Sequence, residues 1–142
     1  MKRIAFVVTY YGLFPNYFPV WLNSCWQNTT VDFLAFTDNS SEGYIIPPNV
    51  RFIPISFDAL RELFQSQFDF TICLDRPYKL CDYKPVYGEA LHDWLNEYDF
   101  WGHCDIDLIW GDIRKLFTDE FLEQYDKILI KAIVPCIETA YA

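Results

Sequence analysis

The run Tyr98-Asp99-Phe100-Trp101-Gly102-His103-Cys104-Asp105-Ile106-Asp107 places two carboxylates, one aliphatic residue apart, directly after an apolar and aromatic stretch. That stretch predicts a buried strand over 99–104. Strand alternation sends Asp105 and Asp107 to one side, while Ile106 turns toward the core. His103 is in phase with Asp105 and reads as a strand residue rather than a ligand. Hard divalent cations take oxygen ligands, and Mg²⁺ or Mn²⁺ commonly shares its shell with phosphates and water. Two acids at the carboxyl end of a strand, in the crevice of an open α/β sheet, suit such an ion. The simpler alternative is a solvated turn in which one aspartate caps the next segment. The apolar lead-in and the aromatic exit Leu108-Ile109-Trp110-Gly111-Asp112 favour the metal reading.

Upstream, short apolar runs alternate with amphipathic ones. Ile4–Thr9 reads as a buried parallel strand bounded by Tyr10-Tyr11-Gly12. Asn16 to Gln27 follows as a helix, with Phe18, Leu22, Cys25 and Trp26 at helical spacing. Val31–Thr37 is a second strand, ended by Asp38-Asn39-Ser40-Ser41, and Val50–Ile55 a third. Ser56 or Asp58 caps a helix carrying Leu60, Leu63 and Phe64. Phe68–Leu74 fits either a strand or a loop. Pro85 to Glu97 predicts a helix, and Ile113–Phe117 begins another short element. The alternation predicts an α/β domain with a mostly parallel central sheet and flanking helices.

With 142 residues and 52% hydrophobic content, the chain forms one domain with a real core and is far from the disordered class. A net charge of −9 argues against sequence-independent nucleic-acid binding, which needs a surplus of Lys and Arg. It also disfavours docking on anionic lipid. A small polyanionic ligand remains open, through local basic side chains or a bridging cation. No apolar run approaches the length of a transmembrane segment. Met1-Lys2-Arg3 before Ile4–Val8 faintly resembles a signal peptide, but Thr9-Tyr10-Tyr11-Gly12 stands where a cleavage site belongs. The five cysteines, Cys25, Cys73, Cys81, Cys104 and Cys136, contain no CxxC pair, so neither zinc nor a disulfide framework is expected. Reduced thiols in the cytoplasm are the expectation, with a peripheral position on the inner face of the membrane also compatible.

Several motifs together resemble an uncharacterised bacterial family assigned as GT-A-type glycosyltransferases and associated with capsule and surface-polysaccharide genes. They are Ala5-Phe6-Val7-Val8-Thr9-Tyr10-Tyr11-Gly12 with Phe14-Pro15-Asn16-Tyr17-Phe18, and Phe36-Thr37-Asp38. Tyr78-Lys79-Leu80-Cys81-Asp82-Tyr83-Lys84-Pro85, Asp105-Ile106-Asp107 and Gly111-Asp112-Ile113-Arg114 complete the set. The resemblance spans roughly residues 1–130 and implies a GT-A fold holding a nucleoside-diphosphate sugar across the strand ends. It assigns Thr9, Tyr10 and Tyr11 to the base and ribose, and Asp38 to the base or ribose. Asp105 would meet the donor directly or through Mn²⁺ or Mg²⁺, which Asp107 would ligate. Lys79 and Lys84 would contact phosphate, and Asp82 a sugar hydroxyl. Arg76 and Arg114 are further phosphate candidates. Each has a plainer reading: Tyr10 and Tyr11 as core-edge aromatics, Asp38 as a turn former, and the two lysines as a solvated face.

The end of the chain departs from that resemblance. The family's stretch Gly-His-x-x-Leu-Tyr-Arg-Asn is replaced by Ala132-Ile133-Val134-Pro135-Cys136-Ile137-Glu138-Thr139. Codons for these residues, read from the third base of the Ala132 codon, can encode His-Cys-Thr-Leu-Tyr-Arg-Asn. The expectation is a GT-A-like nucleotide-sugar-binding domain over 1–131, incomplete at its C-terminus, and an aberrant tail over 132–142 from truncation or a frameshift. A genomic frame with no family-like continuation after a one-base shift would refute it. The alternative is a naturally short domain with Ile128–Val134 as a last strand.

The expected activity of the full-length protein is metal-dependent transfer of a hexose to a surface-polysaccharide acceptor. One rival is a non-catalytic sugar-nucleotide-binding or interaction domain. Another is a phosphohydrolase or nuclease, which would need further acids such as Asp99 or Asp112 on the same face.

Overall fold

A computed structural model describes residues 1–128 and 137–139. Four parallel strands, β1 (Ile4–Thr9), β2 (Val31–Thr37), β3 (Val50–Pro54) and β4 (Phe100–His103), form the main sheet. Two short strands, β5 (Lys127–Ile128) and β6 (Ile137–Thr139), extend it, with β6 antiparallel to both β4 and β5. The strand order is β3-β2-β1-β4-β6-β5. The first three strands step one way across the sheet, and the fourth returns to the other side of β1. The boundary at residue 131 lies outside the described residues, as does the tail over 132–142 apart from the backbone of β6. Of the alternative strand over 128–134, the structure describes only Ile128.

β1 shows why the sheet is covered on both faces. Ile4, Phe6 and Val8 join one apolar cluster with Phe18, Trp21, Leu22 and Cys25 of helix α1 (Phe18–Trp26). Ala5 and Val7 join a second with Leu60 and Phe64 of α2 (Phe57–Gln65), and with Tyr87, Leu91 and Leu95. Residues of opposite parity therefore feed two cores. This is why the strand reads as a continuous apolar run rather than an alternating one. Ser56 starts α2, its side chain accepting from the Ala59 amide at 3.2 Å. Phe68–Leu74 is loop.

The helix expected over 85–97 is broken into pieces. A 3₁₀ segment covers Pro77–Val86, followed by α3 (Tyr87–Ala90) and α4 (His92–Leu95). Leu91, at φ −111° and ψ 19°, separates α3 from α4. Within α3, Gly88 packs closely against the sheet. A Cβ on Gly88 would lie 2.7 Å from Cζ2 and 2.9 Å from Cε2 of the buried Trp101 ring on β4. Gly88→Ala is therefore expected to cost about 1–3 kcal/mol through overpacking, despite alanine's better helix propensity. Thermal or urea denaturation checks this; a stabilised variant would show that Trp101 yields freely.

Downstream, α5 (Ile113–Leu116) is capped by Asp112 and α6 (Asp119–Leu122) by Thr118. No helix among the described residues is long and apolar enough to cross a membrane.

Candidate functional site

The strand order creates the cleft. β1 lies between β2 and β4, so the connections after β1 and after β4 leave the sheet from neighbouring carboxyl ends in different directions. Such a reversal opens a crevice in parallel α/β sheets. Here it is an open cleft of about 420 Å³. Thr9, Tyr10 and Tyr11 line it from the end of β1, and Asp105, Ile106 and Asp107 from the end of β4. The register Val7↔His103, followed by a Cys104 amide bond to the Val7 carbonyl at 3.0 Å, sets these two termini side by side.

β4 ends at His103, one residue earlier than the sequence predicts, and the acidic motif lies on the turn beyond it. Asp105 and Asp107 are both exposed to the cleft, while Ile106 is 4% exposed and belongs to the first core. Buried Ile106 fixes which way its two neighbours face. Lys84 reaches over from the 3₁₀ segment, its Nζ lying 3.0 Å and 2.8 Å from the two Asp105 carboxylate oxygens. No ion pair or hydrogen bond to the Asp107 carboxylate occurs among the described residues. No cluster of three or more His, Cys, Asp or Glu side chains suited to a metal ion occurs among them either.

The other sequence candidates lie elsewhere. Lys79 bonds Asp82 at 2.9 Å, three residues along the same segment, and neither side chain is among those lining the cleft. Asp38 is exposed just beyond β2 and does not line the cleft, although its charge is felt by Tyr11. Arg114 turns to the opposite end of the sheet, donating to the Lys2 and Thr30 carbonyls. Asp112 is a helix cap and Asp99 accepts from the Arg3 amide, so neither joins the acidic pair.

Three tyrosines of the cleft escape sequence reasoning. Tyr17 and Tyr78 line it with exposed rings, and buried Tyr87 forms part of its wall. The Tyr87 hydroxyl shares a 2.9 Å hydrogen bond with Thr9 Oγ1 and donates to the Leu80 carbonyl at 3.3 Å. It thereby ties the end of β1 to the segment bearing Lys84. No spacing in the sequence signals that bond. Tyr10 instead stacks on Phe14 and donates to the Leu13 carbonyl, joining the first core while still lining the cleft.

Burial pushes the Tyr11 hydroxyl up, helped by the Asp38 carboxylate, and that hydroxyl has no hydrogen-bond partner among the described residues. Burial likewise raises Tyr87, against the bond from Thr9 that favours its ionised form. Tyr98 is raised from 10 to about 12, first by burial and then by donating to Asp32 at 2.8 Å. All three stay protonated longer when folded than when unfolded. For Tyr98 that stabilisation is complete below pH 10 and is lost as pH rises from 10 through about 12, and Tyr11 and Tyr87 act in the same direction. Thermal midpoints measured across that range should fall, with the phenolate absorbance of these three rings appearing together with unfolding.

Together these features define a parallel α/β domain with an acidic, tyrosine-lined cleft at the reversal of its strand order. The chain belongs to a family of unknown function, DUF6625, whose profile matches residues 6–133. No curated protein matches the sequence. Among solved structures, the chain is similar to an active-site mutant of LgtC at 13% identity, with a TM-score of 0.45. The similarity covers 96% of this chain and 57% of that one. It is also similar to the galactosyltransferase LgtC in complex with donor and acceptor sugar analogs, at 16% identity and a TM-score of 0.40. That similarity covers 81% of this chain and 42% of the other. The chain thus spans about half the length of these two structures.

Proposed function

We propose that this chain is the donor-binding part of a GT-A-type, metal-dependent glycosyltransferase. The whole protein would transfer a hexose from a nucleoside-diphosphate sugar to a surface-polysaccharide acceptor, in the cytoplasm or at the inner face of the membrane. The observation carrying this reading is the meeting of Asp105, Asp107 and Lys84 with Thr9, Tyr10 and Tyr11 in one open cleft at the reversal of strand order.

The residues present fit Mn²⁺ or Mg²⁺ on one condition. Two carboxylates without a third protein ligand do not cage such an ion, but they hold it when substrate phosphates complete the shell. Asp107 would be the first ligand, and Asp105 the second once Lys84 leaves it. The ion would supply neutralisation of charge on the departing diphosphate. The chain's own contributions are positional and electrostatic. Lys84 offers an ammonium to the phosphates, and the tyrosines offer flat apolar surfaces to base and sugar. Asp38, Lys79 and Asp82 do not line the cleft and take no part in this proposal.

Calorimetric titration with nucleoside diphosphates, with and without Mn²⁺, tests the reading. Metal-dependent binding supports it, and no binding under either condition overturns it. The engagement of Asp105 by Lys84 favours, as a second reading, a domain that binds sugar nucleotides without catalysis. Turnover of a donor that binds would exclude that alternative.

A further inference from the structure

We infer that Lys84 is a resident counter-ion that keeps Asp105 closed to a divalent cation until a diphosphate enters the cleft. This rests on the reading proposed above and adds an order of loading to it. The Lys84 ammonium straddles both carboxylate oxygens, at 3.0 Å and 2.8 Å, so a cation approaching either one meets its positive charge. The Lys84 side chain is only 19% exposed, whereas that of Asp105 is 58% exposed. The lysine is therefore held by the fold, and the carboxylate is the open partner.

The hold has a visible origin. Lys84 belongs to the 3₁₀ segment Pro77–Val86, which two tyrosines tether. Tyr83 donates to the Cys73 carbonyl at 3.0 Å, and Tyr87 to the Leu80 carbonyl at 3.3 Å. Pro85 follows directly and fixes its own φ. The backbone thus presents the ammonium, and only side-chain rotation removes it. An ammonium and a dication on the same carboxylate repel each other, so each weakens the other's hold. A diphosphate changes the balance. It offers Lys84 a more highly charged partner in the same cleft, and release of Asp105 then completes a metal site begun by Asp107. Metal and diphosphate should therefore bind with positive coupling, equal in either order of addition.

The experiment measures Mn²⁺ binding to the 142-residue chain by electron paramagnetic resonance of free Mn²⁺. It is done without phosphate and with methylenediphosphonate as the diphosphate probe, allowing for Mn²⁺ bound by the probe itself. Wild type should bind Mn²⁺ alone weakly. Lys84→Met should bind Mn²⁺ alone roughly three- to tenfold more tightly, as expected for loss of a competing, partly buried ion pair. It should also lose most of the coupling to the probe, whereas Lys84→Arg should behave like wild type. Lys84→Gln repeats the test should the methionine variant not fold.

A measurement on the unmodified chain stands beside these. The Lys84 side-chain ammonium resonance should shift when Mg²⁺ and the probe are added together, and not with Mg²⁺ alone. Unchanged or weaker binding of Mn²⁺ alone by folded Lys84→Met or Lys84→Gln overturns the inference, as does an ammonium resonance indifferent to Mg²⁺ plus probe. In either case metal-dependent binding of nucleoside diphosphate by wild type leaves the site reading intact. Absence of that binding removes the site reading and this inference with it.

Discussion

Asp107→Asn is expected to weaken joint binding of Mn²⁺ and a nucleoside diphosphate on the order of 100-fold, the upper end of what losing even an outer-shell partner of a metal costs. Asparagine keeps the size and one carbonyl oxygen but removes the charge that a hard cation requires. Stability should barely change. Asp107 is exposed, and its carboxylate has no hydrogen bond or ion pair among the described residues. Surface changes of that kind stay within about 0.5 kcal/mol. Calorimetry with and without metal, alongside thermal denaturation, separates the two effects. Retained metal-dependent affinity in a folded variant would remove Asp107 from the site.

The second large effect concerns a residue that touches no ligand. Asn28 is 5% exposed, and its side chain joins three backbone groups. It donates to the Ser24 carbonyl at 3.0 Å and the Gly111 carbonyl at 2.9 Å, and accepts from the Ile113 amide at 2.8 Å. The end of α1 is thereby fastened to both sides of Asp112, a few residues past the acidic motif. Asn28→Ala leaves buried polar groups unpaired, each costing about 1–3 kcal/mol, so a total loss of roughly 3–5 kcal/mol is expected. Against a typical stability of about 5–15 kcal/mol this is severe. Urea denaturation measures it. Asn28→Asp is the informative companion, since it still accepts from Ile113 but offers no proton to Ser24 or Gly111. A loss below about 1 kcal/mol for the alanine variant would show that water replaces the missing amide.

The four parallel strands were legible because each is an apolar run closed by turn residues, and their bounds in the structure differ from expectation by one residue at most. The region 77–97 was not legible. Its break falls at Leu91, and Gly88 packs closely on Trp101; neither feature has a local sequence marker. The same division runs through the site. Asp105, Asp107, Thr9, Tyr10 and Tyr11 sit at strand ends, where topology alone brings them together, and Lys84 joins them. Lys79 and Asp82 were equally plausible by composition, but their three-residue spacing lets them satisfy each other instead. Tyr17, Tyr78 and Tyr87 carry no spacing signal, and only the folded chain gathers them.

The outermost parallel strand, β3, ends at Pro54, and β2 is its only sheet partner among the described residues. A proline cannot donate to a further ladder, and the exposed Arg51 within the same strand would bring its charge into any neighbouring sheet. That margin is poorly suited to recruiting a strand from a second copy, so crowded or partly unfolded preparations should resist sheet-to-sheet aggregation through this border.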